Sequence, residues 1–500
     1  MPMSLGQPSG RPEHLVDEPA NSDRFIGGLS ESIGGPLGNH AVRSRFRLPG
    51  GGRFWTPARV VLLLICAMLS FHWMQKAPCR DAAWTDMKQY KYFCYTDVLA
   101  LYYAEGLNEG QVPYADHQVE YPVLTGAFMG VLGLPVHDLH QRGVVQNDGQ
   151  AFYDLNAVVL GAFGIAAVAA TLAVRRRRPW DAAMFAVAPA LFVSATVNWD
   201  LFTVGLTAVA MVYWAKRKPI LAGVFLGLAT AAKLYPVLIL GALLVLSIRT
   251  GKWRDFFTVV GAGVATWLAV NLPVAFLYYD SWVKFWEFNQ LRGIDWGTLW
   301  YIGAHFPRGN GQYGFEFFQR LDLDPEHATL NILYLGLFLI CCAGILILGL
   351  TAPKEPRLAQ LAFLIVAAFL ITGKVWSQQY VLWLVPLAVL ARPRWGAFLA
   401  WQVAEVLYFV SFYGELMGAS GRQVFPEGVF VLASILRLVT LGVLAAYVIR
   451  DIRHPEEDVV RQTYEGEDPD GGSYNEEPLD EHGLLEEPPP PGAPALAKSG

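Results

Sequence analysis

A chain of 500 residues with 54% hydrophobic and only 16% charged side chains is not an ordinary soluble domain, since soluble domains carry about 25% charged residues. Its formal net charge of −5 hides a split: residues 451–500 hold 14 acids against Arg453, Arg461 and Lys498, a net −11 that leaves +6 on residues 1–450. Apolar runs long enough to cross a bilayer recur from Ala58 to Ile449, which makes the chain an all-α polytopic membrane protein with the lipid bilayer as its first partner.

Residues 1–56 are rich in Gly, Ser and Pro and read as a disordered cytoplasmic tail. The first apolar run lies too deep for an ordinary signal peptide, so it reads as a retained span. Spans are expected near 57–76, 153–174, 181–199, 201–215, 219–232, 235–248, 257–277, 329–350, 357–372, 379–391, 395–413 and 429–449. Basic clusters punctuate them: Arg43 to Arg59, Arg175 to Arg178, Lys216 to Lys218, Arg249/Lys252/Arg254, Lys354/Arg357 and Arg392/Arg394. By the positive-inside rule every one of these is cytoplasmic, as are both termini. A long outer loop, 77–151, follows the first span. Its apolar stretch 121–137 is at the short limit for a crossing, and a crossing would put Arg175 to Arg178 outside. It is therefore expected as a re-entrant or surface helix, with any irregular backbone covered by protein or lining a cavity. The acidic, Pro-rich segment 451–500 reads as a disordered cytoplasmic tail that docks a cytoplasmic protein partner. Neither tail suggests a nucleic-acid partner.

On this topology the unusual polar residues gather at the outer face: Asp97, Glu120, Asn198-Trp199-Asp200, Lys233-Leu234-Tyr235-Pro236, Asn289 to Asp295, and Lys374 to Tyr380. Ionisable groups at membrane depth are costly, and function is the first explanation for them. Asp97 reads either as a solvated loop acid or as a catalytic carboxylate held against the bilayer. Glu120 reads either as a cap for the helix after Pro122 or as a second catalytic acid. Lys233, Lys374 and Arg292 form a set of fixed cations for a phosphate, with snorkelling as the plainer role of the lysines. The tryptophans 282, 286, 296 and 300 read as an interfacial belt. The histidines show no metal-ligand spacing, and no nucleotide-binding or Ser-His-Asp signature is present; neither metal nor cofactor is expected. Cys66, Cys341 and Cys342 fall in spans and read as packing residues. Cys79 and Cys94 share the outer loop, either as two free thiols or as a disulfide, which for a loop of this size stabilises by about 3 kcal/mol.

At Thr96-Asp97-Val98, Val119-Glu120-Tyr121-Pro122-Val123-Leu124-Thr125-Gly126, Asn198-Trp199-Asp200-Leu201, Ala231-Ala232-Lys233-Leu234-Tyr235-Pro236 and Lys374-Val375-Trp376-Ser377-Gln378-Gln379-Tyr380-Val381-Leu382-Trp383, the chain resembles the actinobacterial polyprenol-phosphate-mannose-dependent mannosyltransferases of the GT-C class, glycosyltransferase family 87. The resemblance covers most of residues 57–449 and neither tail. It implies a GT-C bundle of about 12 transmembrane helices over 57–450, with the catalytic aspartate, here Asp97, on a long first extracytoplasmic loop. It also implies a multi-pass protein of a bacterial plasma membrane, with its active site on the extracytoplasmic face. The donor would be a polyprenyl-phosphate sugar and the acceptor an envelope glycolipid or glycan. Tyr121, Asn198, Asp200, Tyr235, Gln378, Gln379 and Tyr380 would bind substrate. One departure stands out: relatives commonly read Ser-Pro-Gln-Tyr where this chain has Ser377-Gln378-Gln379-Tyr380.

The chemistry fits such a reaction. A polyprenyl phosphate leaves without a general acid, unlike the aglycone in ordinary glycoside cleavage. One base must take the acceptor proton, and cations must stabilise the departing phosphate. Asp97 as base, with Glu120 as its rival, and Lys233, Lys374 and Arg292 at the phosphate meet that need without a metal, and a single displacement inverts the anomeric carbon. Two other readings make different demands. A transporter or flippase of a lipid-linked sugar predicts internal repeats and midplane polar residues; no repeat is visible. A non-catalytic lipid-binding scaffold predicts loss of Asp97, which is present.

Overall fold

A computed structural model describes residues 23–32, 54–309, 311–475 and Gly483. Most of the 1–56 tail, and nearly all of the 451–500 tail after Asn475, lie outside the described residues. Residues 24–32 and 451–475 do not. Arg24–Ser32 is a helix whose preceding Asp23 accepts a hydrogen bond from the Trp395 backbone N–H at 2.8 Å. Residues 451–475 are folded against the bundle, contrary to the disordered tail expected there.

Every apolar segment expected to cross contains helix, although 181–199 is two short helices, Asp181–Ala186 and Pro189–Ser194, that stop before residue 195. Pro57–Gln75, Asp148–Val174, Trp253–Leu277, Ala328–Thr351, Trp395–Ala419 and Glu427–Arg453 are long and apolar enough to span. Asp181–Ser194, Asp200–Ala215, Pro219–Ala232, Tyr235–Thr250, Leu358–Thr372 and Gln378–Ala391 are shorter. Burial explains the division. Leu358–Thr372 and Val381–Ala391 are covered by protein along nearly their whole length. Trp253–Leu277 and Ala328–Thr351 bury only a few residues each and present Phe276 and Ile332, 82% and 72% exposed, as surface for lipid tails. Gly227 lets the Pro219–Ala232 helix approach Trp253–Leu277 closely, since a Cβ there would stand 2.4 Å from the Gly263 carbonyl oxygen. Small residues are what allow such contacts where no water drives association.

The helix breaks fall at two ends. At one end, the loops after Val174, Ala215, Thr250, Thr351 and Ala391 carry the basic clusters, and residues 451–475 strap across them. Arg175 donates both Nη atoms to Asp470, at 2.6 and 2.8 Å. Arg357 donates from Nε and Nη2 to the two oxygens of Asp458, at 2.7 and 3.2 Å, while Nη1 serves the carbonyl of Leu390 and Nη2 also that of Ala391. Lys252 and Ser247 bond Tyr474, and Lys354 reaches the Gly466 carbonyl at 2.6 Å. The acidic segment thus ties its own basic loops together.

At the other end lie the long loop after Gln75 and the breaks at 195–199, 233–234 and 373–377. Cys79 and Cys94 form a disulfide that closes the first part of that loop. The stretch read as re-entrant or surface-lying is one helix, Val123–Gln141. Residues 107–114 cover its small-residue face: Tyr114 packs on Gly126, Pro113 on Gly130 and Leu107 on Gly133. His137 Nδ1 lies 2.8 Å from the Asn108 carbonyl.

Candidate active site

The second end holds a cavity of about 450 Å³. Thr96 builds its first wall. In extended conformation, it caps the Asp97–Ala104 helix by accepting from Val98 N–H, and its own hydroxyl donates to the Thr196 carbonyl at 2.6 Å. The Asp97 N–H donates to the Val197 carbonyl at 2.7 Å. These two bonds press the loop after Gln75 onto the 195–199 break and set the Asp97 carboxylate beside Asn198.

Asn198 has one orientation open to it. Its Oδ1 accepts from the Trp199 N–H (2.7 Å) and from Lys233 Nζ (3.3 Å), so its amide N–H₂ must face Asp97 Oδ2 at 2.7 Å and the Tyr121 hydroxyl at 2.6 Å. Lys233 is held in turn by Asp200 at 2.7 Å, and Asp200 also accepts from Trp383 Nε1 at 2.6 Å. The ammonium lies over the rings of Tyr380 and Trp383, 5.3 and 5.7 Å from their centroids, a favourable place for a cation. An ammonium has three N–H donors, and two are used here. The ring of Tyr235 stacks on Trp383 at 4.5 Å.

Burial pushes the Asp97 carboxyl above the usual carboxylate range, against the hydrogen bonds from Asn198 and Tyr95 that pull it down. Glu120 is raised by the same cause, with Arg292 opposing. Arg292 reaches the cavity from the break after Tyr279–Leu291, loosely paired with Asp295 at 3.2 Å. Asp97, Glu120, Tyr121, Asn198, Lys233, Tyr235, Arg292, Gln378, Gln379 and Tyr380 all line this one cavity.

Two residues expected at the site do not line it. Lys374 is buried behind the wall, its ammonium spent on the carbonyls of Gln290 (3.0 Å) and Arg292 (2.5 Å). Burial, reinforced by Arg292, lowers it to about 8. Lys374 therefore fixes the backbone that carries Arg292, and because it does not line the cavity it has no reach to a phosphate bound there. Asp200 is wholly buried beneath Lys233 and supports that lysine.

Further residues shape the site, and of these only Asp295 lay in a polar stretch marked in the sequence. Tyr95 and Asp295 line the cavity. Buried Lys76 donates to the Tyr95 carbonyl at 3.0 Å, and burial lowers it to about 7. Arg437 and Glu405, paired at 2.9 Å, sit inside two apolar spans. Arg437 donates to the carbonyls of Trp376 (3.1 Å) and Ser377 (3.4 Å), anchoring the segment that carries Gln378 to Tyr380. The signal for that pair was plain in the sequence: two opposite charges within otherwise apolar runs.

An almost wholly helical membrane protein with three carboxylates, Asp97, Glu120 and Asp295, and two cations, Lys233 and Arg292, around one cavity at the bundle's end has the parts of a membrane enzyme. The model of glycosyltransferase family 87 matches residues 128–377, half of the chain, and the protein belongs to that family. It is a membrane glycosyltransferase. Asn198, Lys233, Arg292 and Lys374 fall inside the matched stretch; Asp97 and Glu120 precede it. Among curated proteins nothing matches the chain.

Proposed function

We propose that the enzyme transfers a hexose, mannose in the first instance, from a polyprenyl-phosphate donor to a glycan or glycolipid acceptor. The transfer would take place on the extracytoplasmic face of a bacterial plasma membrane. The observation that carries this reading is one cavity presenting a hydrogen-bonded carboxylate, Asp97, together with the cations Arg292 and Lys233.

In this reading the acceptor oxygen attacks the anomeric carbon as Asp97 takes its proton. The bond from that carbon to the phosphate oxygen breaks, and its electron pair leaves with the polyprenyl phosphate, inverting the configuration. The phosphate gains one negative charge, which Arg292 and the remaining N–H of Lys233 meet as fixed donors. Asn198 keeps the carboxylate oriented, and Asp200 keeps Lys233 in place. Lys374 acts at one remove, by holding the Arg292 backbone. Glu120 is the rival base. Purified protein in vesicles, given radiolabelled polyprenyl-phosphate mannose and candidate acceptors, tests the assignment. Labelled product with inverted configuration supports it. Labelled lipid moved between leaflets without any product would replace it with a flippase.

A further inference from the structure

Arg437 lies ten residues into the Glu427–Arg453 helix, about 15 Å from its start at 1.5 Å per residue. Its partner Glu405 lies in the Trp395–Ala419 helix, and both side chains are buried. Charges at such depth are costly, and a buried ion pair often adds no more stability than apolar side chains of similar volume. The pair therefore calls for a reason other than holding two helices together.

Its bonds supply one. Each guanidinium nitrogen has an acceptor: Nε meets Glu405 at 2.9 Å, Nη1 the Trp376 carbonyl at 3.1 Å and Nη2, more loosely, the Ser377 carbonyl at 3.4 Å. Those carbonyls belong to the break after Thr372, where no helix supplies a partner and buried backbone groups need one. Val375 and Ser377 of that break line the cavity. The other Glu405 oxygen accepts from Trp401 Nε1 at 2.9 Å, which fixes the carboxylate from its far side. The guanidinium carbon also lies 4.0 Å from the ring centre of Trp376 and 4.1 Å from that of Tyr408. Tyr408 in turn donates its hydroxyl to the Trp296 carbonyl at 3.2 Å.

Both routes lead to a cation. The first stretch runs on to Tyr380, whose ring centre is 5.3 Å from the Lys233 ammonium. The second begins beside Asp295, which pairs with Arg292 at 3.2 Å. One guanidinium thus touches, directly or through Tyr408, the two pieces of wall against which Lys233 and Arg292 stand.

We infer that Arg437, held by Glu405, is a positioning residue for the donor phosphate: it braces the 376–380 stretch against residue 296 and so sets the spacing of Lys233 and Arg292. The inference rests on the glycosyl-transfer reading above and adds to it the group that holds the two cations in register.

The experiment separates bracing from folding. Full-length protein in vesicles carries Arg437→Met together with Glu405→Gln, which leaves no charge buried alone and keeps an acceptor for Trp401. This paired variant should keep a cooperative thermal transition close to that of wild type. Its kcat/KM for a polyprenyl-phosphate mannose donor should fall about tenfold to hundredfold, the scale of a misplacement of about 1 Å. Binding of polyprenyl phosphate alone should weaken with it, while acceptor KM is unchanged. Arg437→Lys keeps the charge without the planar fork and should fall between. Tyr408→Phe keeps the ring and removes the bond to Trp296. It should weaken donor use a few-fold in wild type and no further in the paired variant, because both cut the same brace. A paired variant that cannot fold makes the charges structural and overturns the inference. So does one that uses donor as wild type does, or one whose donor and acceptor KM rise together. Wild-type protein that binds polyprenyl phosphate yet transfers no sugar would count against the glycosyl-transfer reading instead, which keeps the two failures apart.

Discussion

At the end that carries the basic loops, Asp458 receives two hydrogen bonds from Arg357, one from Gln360 and one from the Val460 N–H. At the cavity end Asp97 receives bonds from Asn198 and Tyr95 and otherwise faces a cavity. The consequences are opposite in sign. Arg357 holds the Asp458 carboxyl below the usual range in spite of burial, whereas Asp97 is held above it. Even at the basic end pairing has a cost: burial lifts Asp470 to about 6 although Arg175 grips both its oxygens. A buried ion pair is therefore weak evidence of net stabilisation, but breaking one is expensive. The comparison separates a carboxylate that staples loops from one kept ready to accept a proton.

Replacing each carboxylate should expose the difference. Asp97→Asn should lower transfer about 10²–10⁴-fold, the usual share of a general base, measured with labelled donor under single-turnover conditions. The folded pKa of Asp97 is raised, so the folded state binds the proton more tightly, and stability is lost as pH rises through that folded value. The neutral amide removes that loss, and thermal unfolding at neutral pH should show Asp97→Asn at least as stable as wild type. Normal transfer by Asp97→Asn alongside a dead Glu120→Gln would move the base to Glu120.

Asp458→Ala should do the reverse. It leaves Arg357 buried without its partner and should cost about 3–5 kcal/mol, read as a large drop in thermal midpoint in detergent, while the turnover of the molecules that remain folded is unchanged. The folded pKa of Asp458 is depressed, so its stabilisation is present above the unfolded value of about 3.9 and is lost as pH falls through the folded value. An Asp458 variant of full stability but no activity would break the comparison, because it would make the strap part of the catalytic apparatus.

The disulfide comes next. Cys79→Ser with Cys94→Ser should destabilise by about 3 kcal/mol in the chain-entropy model. Since the closed loop ends three residues before Asp97, the unfolding should begin locally at the cavity end, visible as faster hydrogen exchange over residues 77–96. The smallest effect is expected from Lys374→Met. Losing its grip on the Gln290 and Arg292 carbonyls should raise donor KM about tenfold, leaving kcat nearly unchanged. A selective loss of kcat would instead put Lys374 at the leaving phosphate.

Much of this was written in the local sequence. Apolar length and charge poverty determine a helical membrane protein, since in lipid every backbone polar group must be satisfied within a helix. The prolines at 57, 189 and 219 place helix starts, because a missing N–H costs nothing there. The alternation of basic clusters with polar breaks brings Asp97, Asn198, Lys233, Arg292 and Gln378 to one end. Tertiary structure decided the rest. Which partner saturates a charge depends on contacts between residues a hundred or more apart, such as Arg357 with Asp458 or Asn198 with Asp97, and no local pattern encodes those. The same lysine chemistry was legible at positions 233 and 374. Packing alone put Lys233 at the cavity wall and turned Lys374 onto two backbone carbonyls, because an ammonium takes whichever acceptors the surrounding chain leaves within reach.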